Sequence, residues 1–390
     1  MNRPLRNTLE QSPILSRVEH QFMLLAGWTL DWIGIKFFSM AEYPKGRRKN
    51  IKPKGIHSDY LLKKNPSSFV LKMLLSASPY YVSGSLLAEK LNMSRVGVWS
   101  RINKLRKQGL VIEATQNRGY RIAKEPDYFN LSLLKALLSD YKDDFKVIVL
   151  DKTDSTNSEA ERLLANGEKT PFAILANMQR NGRGRLGKEW HSPKEGNLYL
   201  SIAFRPEADL EKLRTFTLFQ GVRLCNFLRD QTGIDDIYLK WPNDLVWKGK
   251  KMGGMLTEAS IDFEQVKTLI FGLGLNINGN CESYPSGIKS HSTSLVNLCG
   301  EKVRLNEVAS KIIKTIILTY NDSMSGKFED ELQNKWASFD FLKGKKVEFS
   351  AQGNKFTGKA DGIDFDGSLR LKLRNGRMKK ITAGEISIKK

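Results

Sequence analysis

The chain has 390 residues, of which 40% are hydrophobic, so it is long enough for two or three folded domains and too apolar to be disordered. Its formal net charge of +21 favours polyanionic partners such as nucleic acid, anionic membrane surfaces or nucleotide substrates, although a generally basic proteome would explain the charge equally well. Three cysteines and four histidines are scattered without a C-x-x-C or H-x-x-x-H pair, which argues against a disulfide framework and a zinc site and fits a cytoplasmic protein.

The first 65 residues differ in composition from the rest of the chain. Residues 22–38 form an apolar run, but Asp31 and Lys36 interrupt it, whereas a membrane-spanning helix needs about 20 apolar residues. No small-residue cleavage site of a secretory signal follows. We therefore expect residues 1–65 to be an extension without a folded role, with Met40 as an alternative start of translation. The other interpretation is a weak anchor on a membrane surface, and no firm membrane association is expected.

Residues 66–125 are expected to form a winged helix-turn-helix. An apolar helical face at Phe69, Leu71, Leu74 and Leu75 is followed by a short helix at 85–91 and by a third helix that Ser94 caps and Gly109 ends. Short strands at 111–114 and 120–123 complete the pattern, in which the third helix enters the DNA major groove. The candidate DNA contacts are Ser94, Arg95, Trp99, Arg101, Lys104 and Arg118. The alternative is a solvated basic face on a small helical domain.

Residues 126–338 are expected to form an α/β catalytic domain with a mixed sheet, entered through a linking helix at 127–145. Strands alternate with helical runs at 158–166 and 211–232, and the second of these is apolar enough to be core. The predicted strands are 146–150, 172–177, 198–204, 237–241 and 268–275.

Residues 339–390 predict a third domain of short strands separated by glycine-containing turns. The strands are expected at 345–349, 356–363, 368–373, 378–382 and 385–388. A small SH3-like β-barrel is the simplest way to bury so many short strands. The predicted fold class is therefore multi-domain α+β.

Residues 181–190, Asn-Gly-Arg-Gly-Arg-Leu-Gly-Lys-Glu-Trp, are the most informative segment. Their glycines open backbone amides to a ligand while Arg183 and Arg185 lie in the same turn, a combination that suits a phosphate ester. The glycines also match the G-x-G-x-x-G dinucleotide pattern, a weak signal by itself. A turn and a strand are predicted to follow, where a Rossmann unit needs a helix, so that fold is disfavoured.

A second motif, Ile237-Tyr-Leu-Lys-Trp-Pro-Asn-Asp244, is a β-rich run stopped by proline, which puts Lys240 at a strand end. Three further short motifs and one glutamine accompany it in a specific order, namely Asp154–Asn157, Gln179, Lys251–Glu258 and Gly272–Asn276. This ordered set resembles biotin protein ligases. With the winged helix before it and the β-barrel after it, residues 66–390 resemble the bifunctional biotin ligases that also repress biotin operons.

The resemblance implies ATP and biotin as substrates and a biotin carboxyl carrier protein domain as acceptor. The biotin carboxylate attacks the α-phosphorus of ATP to give biotinyl-5′-adenylate, and the acceptor lysine then attacks this mixed anhydride. Mg²⁺ is expected with ATP, with no protein metal ligands assigned, since it often binds through phosphates and water. A DNA operator and a homodimer are further implied partners.

The resemblance also assigns roles to residues. Lys240 and Arg185 are the expected catalytic residues, with Lys240 bridging carboxylate and phosphate. The expected biotin-binding residues are Ser155, Thr156, Asn157, Gln179, Arg183, Gly184, Arg185 and Lys240, and the expected adenylate-binding residues are Arg183, Arg185 and Asn276. The glycines of the loop are expected to allow close approach and positive φ. We expect the loop to be mobile until a ligand neutralises its arginines. Leu186 departs from relatives that carry arginine there, which bears on adenylate leakage.

Two alternatives remain. A lipoate or octanoate ligase shares the fold but normally lacks this pairing of motifs. A transcription factor that senses biotin or biotinyl-adenylate without useful ligase activity is the second, and the intact Lys240 and Arg185 argue against it.

Overall fold

The computed structural model describes residues 66–139, 146–206, 208–209, 213, 215–262, 265–326, 329–351, 354–382 and 384–388. The expectations for residues 1–65 and for Met40 lie outside these ranges. Within them, no helix is long and apolar enough to cross a membrane.

The amino-terminal part is a three-helix unit with a β-hairpin, as the sequence predicted. Its elements are α1 (Pro66–Ser76), α2 (Gly84–Leu91), α3 (Arg95–Lys107), β1 (Val111–Thr115) and β2 (Gly119–Lys124). The Ser94 side chain accepts a hydrogen bond from the Gly97 N–H at 3.1 Å and so caps α3. Val98, Ile102 and Leu105 bury one face of α3, which leaves the opposite face to solvent.

The predicted linking helix is shorter than expected. It is α4 (Leu131–Leu137), which begins where the Asn130 side chain accepts a hydrogen bond from the Leu133 N–H at 3.0 Å. Its Leu133 belongs to the hydrophobic core of the three-helix unit, whereas Leu134 belongs to that of the central sheet. This short helix is therefore shared between two cores.

The central domain is built on a mixed sheet in the order β3-β4-β5-β10-β9-β8-β7, with β6 paired to β10. Its strands are β3 (Lys146–Leu150), β4 (Phe172–Ala176), β5 (Leu198–Phe204), β6 (Ala208–Asp209), β7 (Ile237–Lys240), β8 (Asp244–Trp247), β9 (Lys250–Asp262) and β10 (Gln265–Leu275). Among the described strands of this sheet, only β3 and β4 pair in parallel. The sequence did not predict β6, β8 or β9. For β9 the reason is that the glycine-containing 251–258 segment does not alternate as an ordinary strand does.

Helices cover both faces of this sheet. They are α5 (Thr156–Ala165), α6 (Phe216–Thr232) and α9 (Leu305–Met324), and the short helices α7 (Ser286–Lys289) and α8 (Leu295–Cys299) lie between α6 and α9 along the chain. Side chains of β4 alternate, so that Phe172 packs with α5 while Ala173 joins the core with α6 and α9. α6 is largely buried, as predicted, and begins at Phe216. Leu213, earlier in the predicted helical run, is also helical, whereas positions 211, 212 and 214 lie outside the described residues.

The carboxy-terminal part begins with α10 (Glu329–Phe339) and continues as a five-stranded antiparallel sheet in the order β14-β13-β12-β11-β15. The strands are β11 (Lys346–Ala351), β12 (Asn354–Ile363), β13 (Leu369–Leu373), β14 (Met378–Ile381) and β15 (Glu385–Ile388), close to the predicted positions. Among the described residues no strand pairing closes this path, so the SH3-like barrel stays a prediction. The Trp241 indole N–H donates to the Gly367 carbonyl at 2.9 Å and joins this sheet to the central domain.

Candidate functional site

A cavity of about 360 Å³ lies over β5, β7, β9 and β10, a volume within the usual range for a small-molecule site. The 181–190 segment forms one wall. The cavity is lined by every residue to which the sequence assigned a biotin or adenylate role, namely Ser155, Thr156, Asn157, Gln179, Arg183, Gly184, Arg185, Lys240 and Asn276. The fold thus brings together residues that are spread over 122 positions of the chain.

The 181–190 segment is a tight turn whose two sides are hydrogen-bonded to each other. The Gly184 N–H donates to the Lys188 carbonyl at 2.7 Å, and the Trp190 N–H donates to the Gly182 carbonyl at 2.8 Å. A Cβ on Gly182 would lie 2.4 Å from the Trp190 carbonyl oxygen, so this position requires glycine for close approach. The expected positive φ is wrong for Gly184, whose φ is −118°, because the paired arm keeps it extended. The left-handed residues are Leu186 and Gly187, at the tip of the turn.

The two arginines of this turn have separate acceptors. Arg183 donates from Nη2 to Glu161 Oε1 and to Glu258 Oε2, both at 2.8 Å, while Arg185 donates from Nη1 to Asn243 Oδ1 at 3.3 Å. Burial disfavours the charged form of Arg183, but the Glu161 hydrogen bond and the Glu258 charge outweigh this and hold its pKa above the ordinary value. Neighbouring acceptors therefore offset the repulsion between these two arginines.

Short polar side chains line the end of the cavity near the start of α5. Gln179 Oε1 accepts from the Thr156 N–H at 2.8 Å and from its hydroxyl at 3.1 Å. Ser201, fully buried on β5, contacts Thr156 Oγ1 at 2.7 Å and Asn157 Oδ1 at 2.5 Å. Ser155 occupies the N-cap position of α5 without a side-chain capping bond, so its hydroxyl is not committed to the helix. The cluster offers both donors and acceptors to a neutral ligand head.

Lys240 ends β7 and pairs in register with Asp244 across a three-residue loop. Asn243 anchors that loop, because its Nδ2 donates to the Met255 carbonyl at 2.6 Å and its carbonyl accepts from the Met255 N–H at 3.0 Å. The same Asn243 side chain accepts from Arg185. Arg185 therefore contacts the loop that follows Lys240, and both side chains line the cavity.

The other end of the cavity holds Asn276, which is buried. Its Nδ2 donates to the Thr293 carbonyl at 3.0 Å, and its Oδ1 accepts from the Tyr284 hydroxyl at 3.2 Å. The Trp190 indole lies against Gly274, where a Cβ would come within 2.4 Å of the ring. Lys251 approaches the centre of that ring at 5.2 Å and pairs with Asp244 at 2.7 Å. This end combines an aromatic surface with cationic and amide groups.

Several lining residues had no role assigned from the sequence. Trp190, Asn243, Asp244 and Lys251 lie inside motifs that the sequence had singled out, so their position was signalled but not their contacts. Tyr284 and the carboxy-terminal Gly384 and Ile386 lie outside every motif. Among the described residues, no group of three or more His, Cys, Asp or Glu side chains could hold a metal ion.

The predicted DNA contacts lie on α3, at its cap and on the hairpin. Trp99 is 56% exposed on the face of α3 opposite the core, and Val96, which was not among the predicted contacts, is 73% exposed beside it. Ser94, Arg95, Lys104 and Arg118 are exposed and Arg101 is half-buried. Arg95 donates to the Ser85 hydroxyl, and the Arg118 guanidinium lies 4.7 Å from the centre of the Tyr81 ring. An apolar centre flanked by cations is thus presented to solvent.

Comparison with known families and proteins agrees with this architecture. Residues 67–121 match the HTH domain, residues 149–276 match the biotin/lipoate A/B protein ligase family, and residues 343–389 match the biotin protein ligase C terminal domain. The chain is 31% identical over 319 residues to the bifunctional ligase/repressor BirA of Bacillus subtilis, covering 82% of this chain and 97% of that protein. BirA of Escherichia coli is 29% identical over 326 residues, again covering 82% and 97%.

A solved structure is also similar. Biotin protein ligase from Aquifex aeolicus in complex with biotin and ATP superposes with a TM-score of 0.53 at 32% identity, covering 63% of this chain and 98% of that one. The matched families follow one another along the chain in the order that the fold shows. By sequence over nearly the full length of its relatives, by domain order and by fold, the chain belongs to the family of bifunctional biotin protein ligases and biotin operon repressors.

Proposed function

We propose that the chain is an ATP-dependent biotin protein ligase that forms biotinyl-5′-AMP and transfers biotin to a lysine of a biotin carboxyl carrier protein domain. We further propose that it binds an operator and represses biotin genes. The observation that carries the ligase assignment is the convergence of all nine expected ligand residues on one cavity, in a chain of this family. Biotin and ATP as substrates agree with the complex of the similar Aquifex aeolicus ligase.

The first reaction joins a carboxylate oxygen of biotin to the α-phosphorus of ATP and releases diphosphate. Its barrier is the approach of an anion to a polyanion, so cations and amide donors must face the oxygens on which charge builds up. Lys240, Arg183 and Arg185 line this cavity together and are suited to this role. A well-placed donor of this kind is worth roughly 3 to 4 kcal/mol of transition-state stabilisation.

Substrate recognition follows from the two ends of the cavity. The ureido head of biotin has two N–H donors and one carbonyl acceptor, which match the hydroxyl and amide groups of Ser155, Thr156, Asn157 and Gln179. The adenylate would lie toward Asn276 and the Trp190 indole, where an aromatic surface accompanies an amide. Mg²⁺ would bind mainly through phosphate oxygens and water, since the described residues offer no ready-made cage.

In the second reaction the neutral amine of the acceptor lysine attacks the carbonyl carbon of the mixed anhydride, an amide bond forms and AMP leaves. The acceptor is a carrier domain, and the C-terminal sheet lies at the cavity through Gly384 and Ile386. We assign residues 66–125 to DNA binding, 126–338 to catalysis and 339–390 to an SH3-like domain. Residues 1–65 are an extension, and the protein acts in the cytoplasm.

The DNA-binding proposal rests on the match to the HTH domain and on the exposed face of α3. Adenylate-promoted dimers would bind two spaced half-sites, because two-fold symmetric proteins favour palindromic operators. A gel shift with DNA from upstream of biotin genes, with biotin and ATP present, tests this. The absence of specific binding under those conditions would remove the repressor role.

The decisive ligase experiment offers a purified biotin-carrier domain, Mg²⁺ and ATP to the full chain and scores biotin transfer by mass and by streptavidin blot. Parallel reactions contain lipoate or octanoate in place of biotin. Lys240→Ala should abolish transfer, whereas Lys250→Ala, an exposed lysine outside the cavity, should retain it. Unchanged transfer by Lys240→Ala would refute the role of Lys240. No transfer with intact DNA binding would favour a biotin-sensing repressor.

A further inference from the structure

One carboxylate joins the ureido end of the cavity to the arginine-containing loop. Glu258 Oε2 accepts a hydrogen bond from Asn157 Nδ2 at 2.7 Å and another from Arg183 Nη2 at 2.8 Å. Glu258 lies on β9, and its side chain is 31% exposed. It does not line the 360 Å³ cavity, although both of its partners do. Glu258 therefore reaches a ligand in that cavity by hydrogen bonding only through Asn157 or Arg183.

The effect on Asn157 follows from hydrogen-bond chemistry. The two ends of an asparagine amide have nearly the same shape, but one end only donates and the other only accepts. Ser201, which contacts Asn157 Oδ1, has a hydroxyl that can donate or accept, so it suits either orientation of the amide. An ionised carboxylate can only accept, and Glu258 therefore requires the NH₂ end of Asn157 to face it.

The backbone holds this arrangement in place. A Cβ on Gly272 would lie 2.4 Å from Asn157 Oδ1, so the amide packs directly on the bare glycine of β10. Asn157 itself is 4% exposed. A buried amide that flipped would face Glu258 with its oxygen and lose a hydrogen bond to a charged group, which is worth about 1.5 to 3 kcal/mol.

We propose that Glu258 is a positioning residue that fixes the orientation of the Asn157 amide and so sets the order of donor and acceptor presented to the ureido head of biotin. This role rests on the proposed ligase function. Glu161 offers a natural contrast, because its Oε1 also accepts from Arg183 at 2.8 Å but it has no hydrogen bond to Asn157. Removing the charge of either glutamate affects the loop arginine, whereas only Glu258 controls the amide.

The test measures binding of biotin and of biotinol to the full chain by calorimetry. Biotinol keeps the ureido head but replaces the carboxylate with an alcohol. Its affinity therefore measures the contacts of the ureido head without the attraction between the carboxylate and the arginines of the loop. Glu258→Gln keeps the size of the side chain but offers either a donor or an acceptor. We expect it to raise the Kd of biotinol roughly tenfold, which corresponds to about 1.4 kcal/mol. Glu161→Gln should change that Kd by no more than about twofold.

A double-mutant cycle separates positioning from a general structural effect. If Glu258 acts through Asn157, Glu258→Gln should change the biotinol Kd by less than about twofold in an Asn157→Ala background. Thermal unfolding of each variant, with a melting temperature near that of the parent, shows that the folded state is retained. The KM for biotin should rise more than the KM for ATP, a split that a loosened fold would not produce.

Three outcomes would overturn the proposal. An equal loss of biotinol affinity in Glu258→Gln and Glu161→Gln would assign the effect to the loop charge. An undiminished loss in the Asn157→Ala background would show that Glu258 acts by another route, and an unchanged Kd in Glu258→Gln would show no role. Failure of the parent chain to bind biotin at all would instead refute the proposed function on which this role depends.

Discussion

Gly274→Ala is expected to damage the active site by displacing one aromatic side chain. The added Cβ would lie 2.4 Å from Trp190 Cε2, whereas carbon atoms in contact are about 3.5 to 4.0 Å apart, so the indole must move by about 1 Å. The Trp190 backbone N–H donates to the Gly182 carbonyl at 2.8 Å in the turn that carries Arg183 and Arg185, so a displacement of Trp190 that reaches its backbone also shifts this turn. A misplacement of this size near reacting groups can cost about 100-fold in rate.

Gly254→Ala is the matched control, since Gly254 pairs with Gly274 on the neighbouring strand and faces the same indole. Its added Cβ would lie 3.3 Å from Trp190 Cζ3, which requires a shift of only a few tenths of an ångström. The assay is kcat/KM for biotin in transfer to a carrier domain, together with thermal unfolding. We expect a fall of roughly 100-fold for Gly274→Ala and of less than about threefold for Gly254→Ala. Equal effects of the two variants would refute the argument from contact distance.

Three further changes test other parts of the molecule. Burial raises the pKa of Glu125 to about 7 from 4.5, against Arg304 and together with Glu307, and its Oε2 has no hydrogen-bond partner. Between pH 4.5 and about pH 7, Glu125 is protonated in the folded chain and ionised in the unfolded chain, so folding takes up a proton. The free energy of unfolding therefore falls as the pH rises through this range. Urea unfolding should show Glu125→Gln more stable than the parent by about 3 kcal/mol at pH 8 and little changed at pH 5, and equal stability at pH 8 would contradict this. Trp99→Ala should weaken specific DNA binding without altering its salt dependence, whereas Lys104→Ala should reduce the slope of log K against log salt by about 0.9, measured by fluorescence anisotropy; an unchanged slope would mean that Lys104 contacts no phosphate. Leu186→Arg adds a cation at the tip of the loop and should slow release of biotinyl-adenylate into a trap, unless the tip never approaches the phosphate.

Local patterns predicted the helices and strands that carry a strong periodicity or a clear stop signal. The cap at Ser94 and the glycine after α3 fixed that helix, and the five carboxy-terminal strands were found from their alternation and turns. Patterns failed where tertiary packing decides the conformation. The glycines of β9 are atypical of a strand. In the fold Gly254 pairs with Gly274 of β10, and the Trp190 ring packs against both glycines.

The candidate site shows the same division between local and tertiary information. Motifs predicted residues that line the cavity, because these residue types are constrained by the chemistry of the expected ligand. They did not identify Ser201, an ordinary buried serine of β5, or Tyr284, because their roles depend on which neighbours the fold supplies. Glu258 lies 101 positions after Asn157 and 75 positions after Arg183 in the chain, and no spacing rule predicts contacts between residues so far apart.

The distribution of charge separates the two proposed activities. Within the cavity, Arg183 is paired with two glutamates and Lys251 with Asp244, so an incoming anion exchanges one partner for another. Half-exposed pairs of this kind are individually weak, which lets the cations be shared with a ligand at little cost. The cations around Trp99 are exposed to solvent instead, and binding DNA there would release counterions. Raising the salt concentration should therefore weaken DNA binding by orders of magnitude while changing the KM for ATP much less.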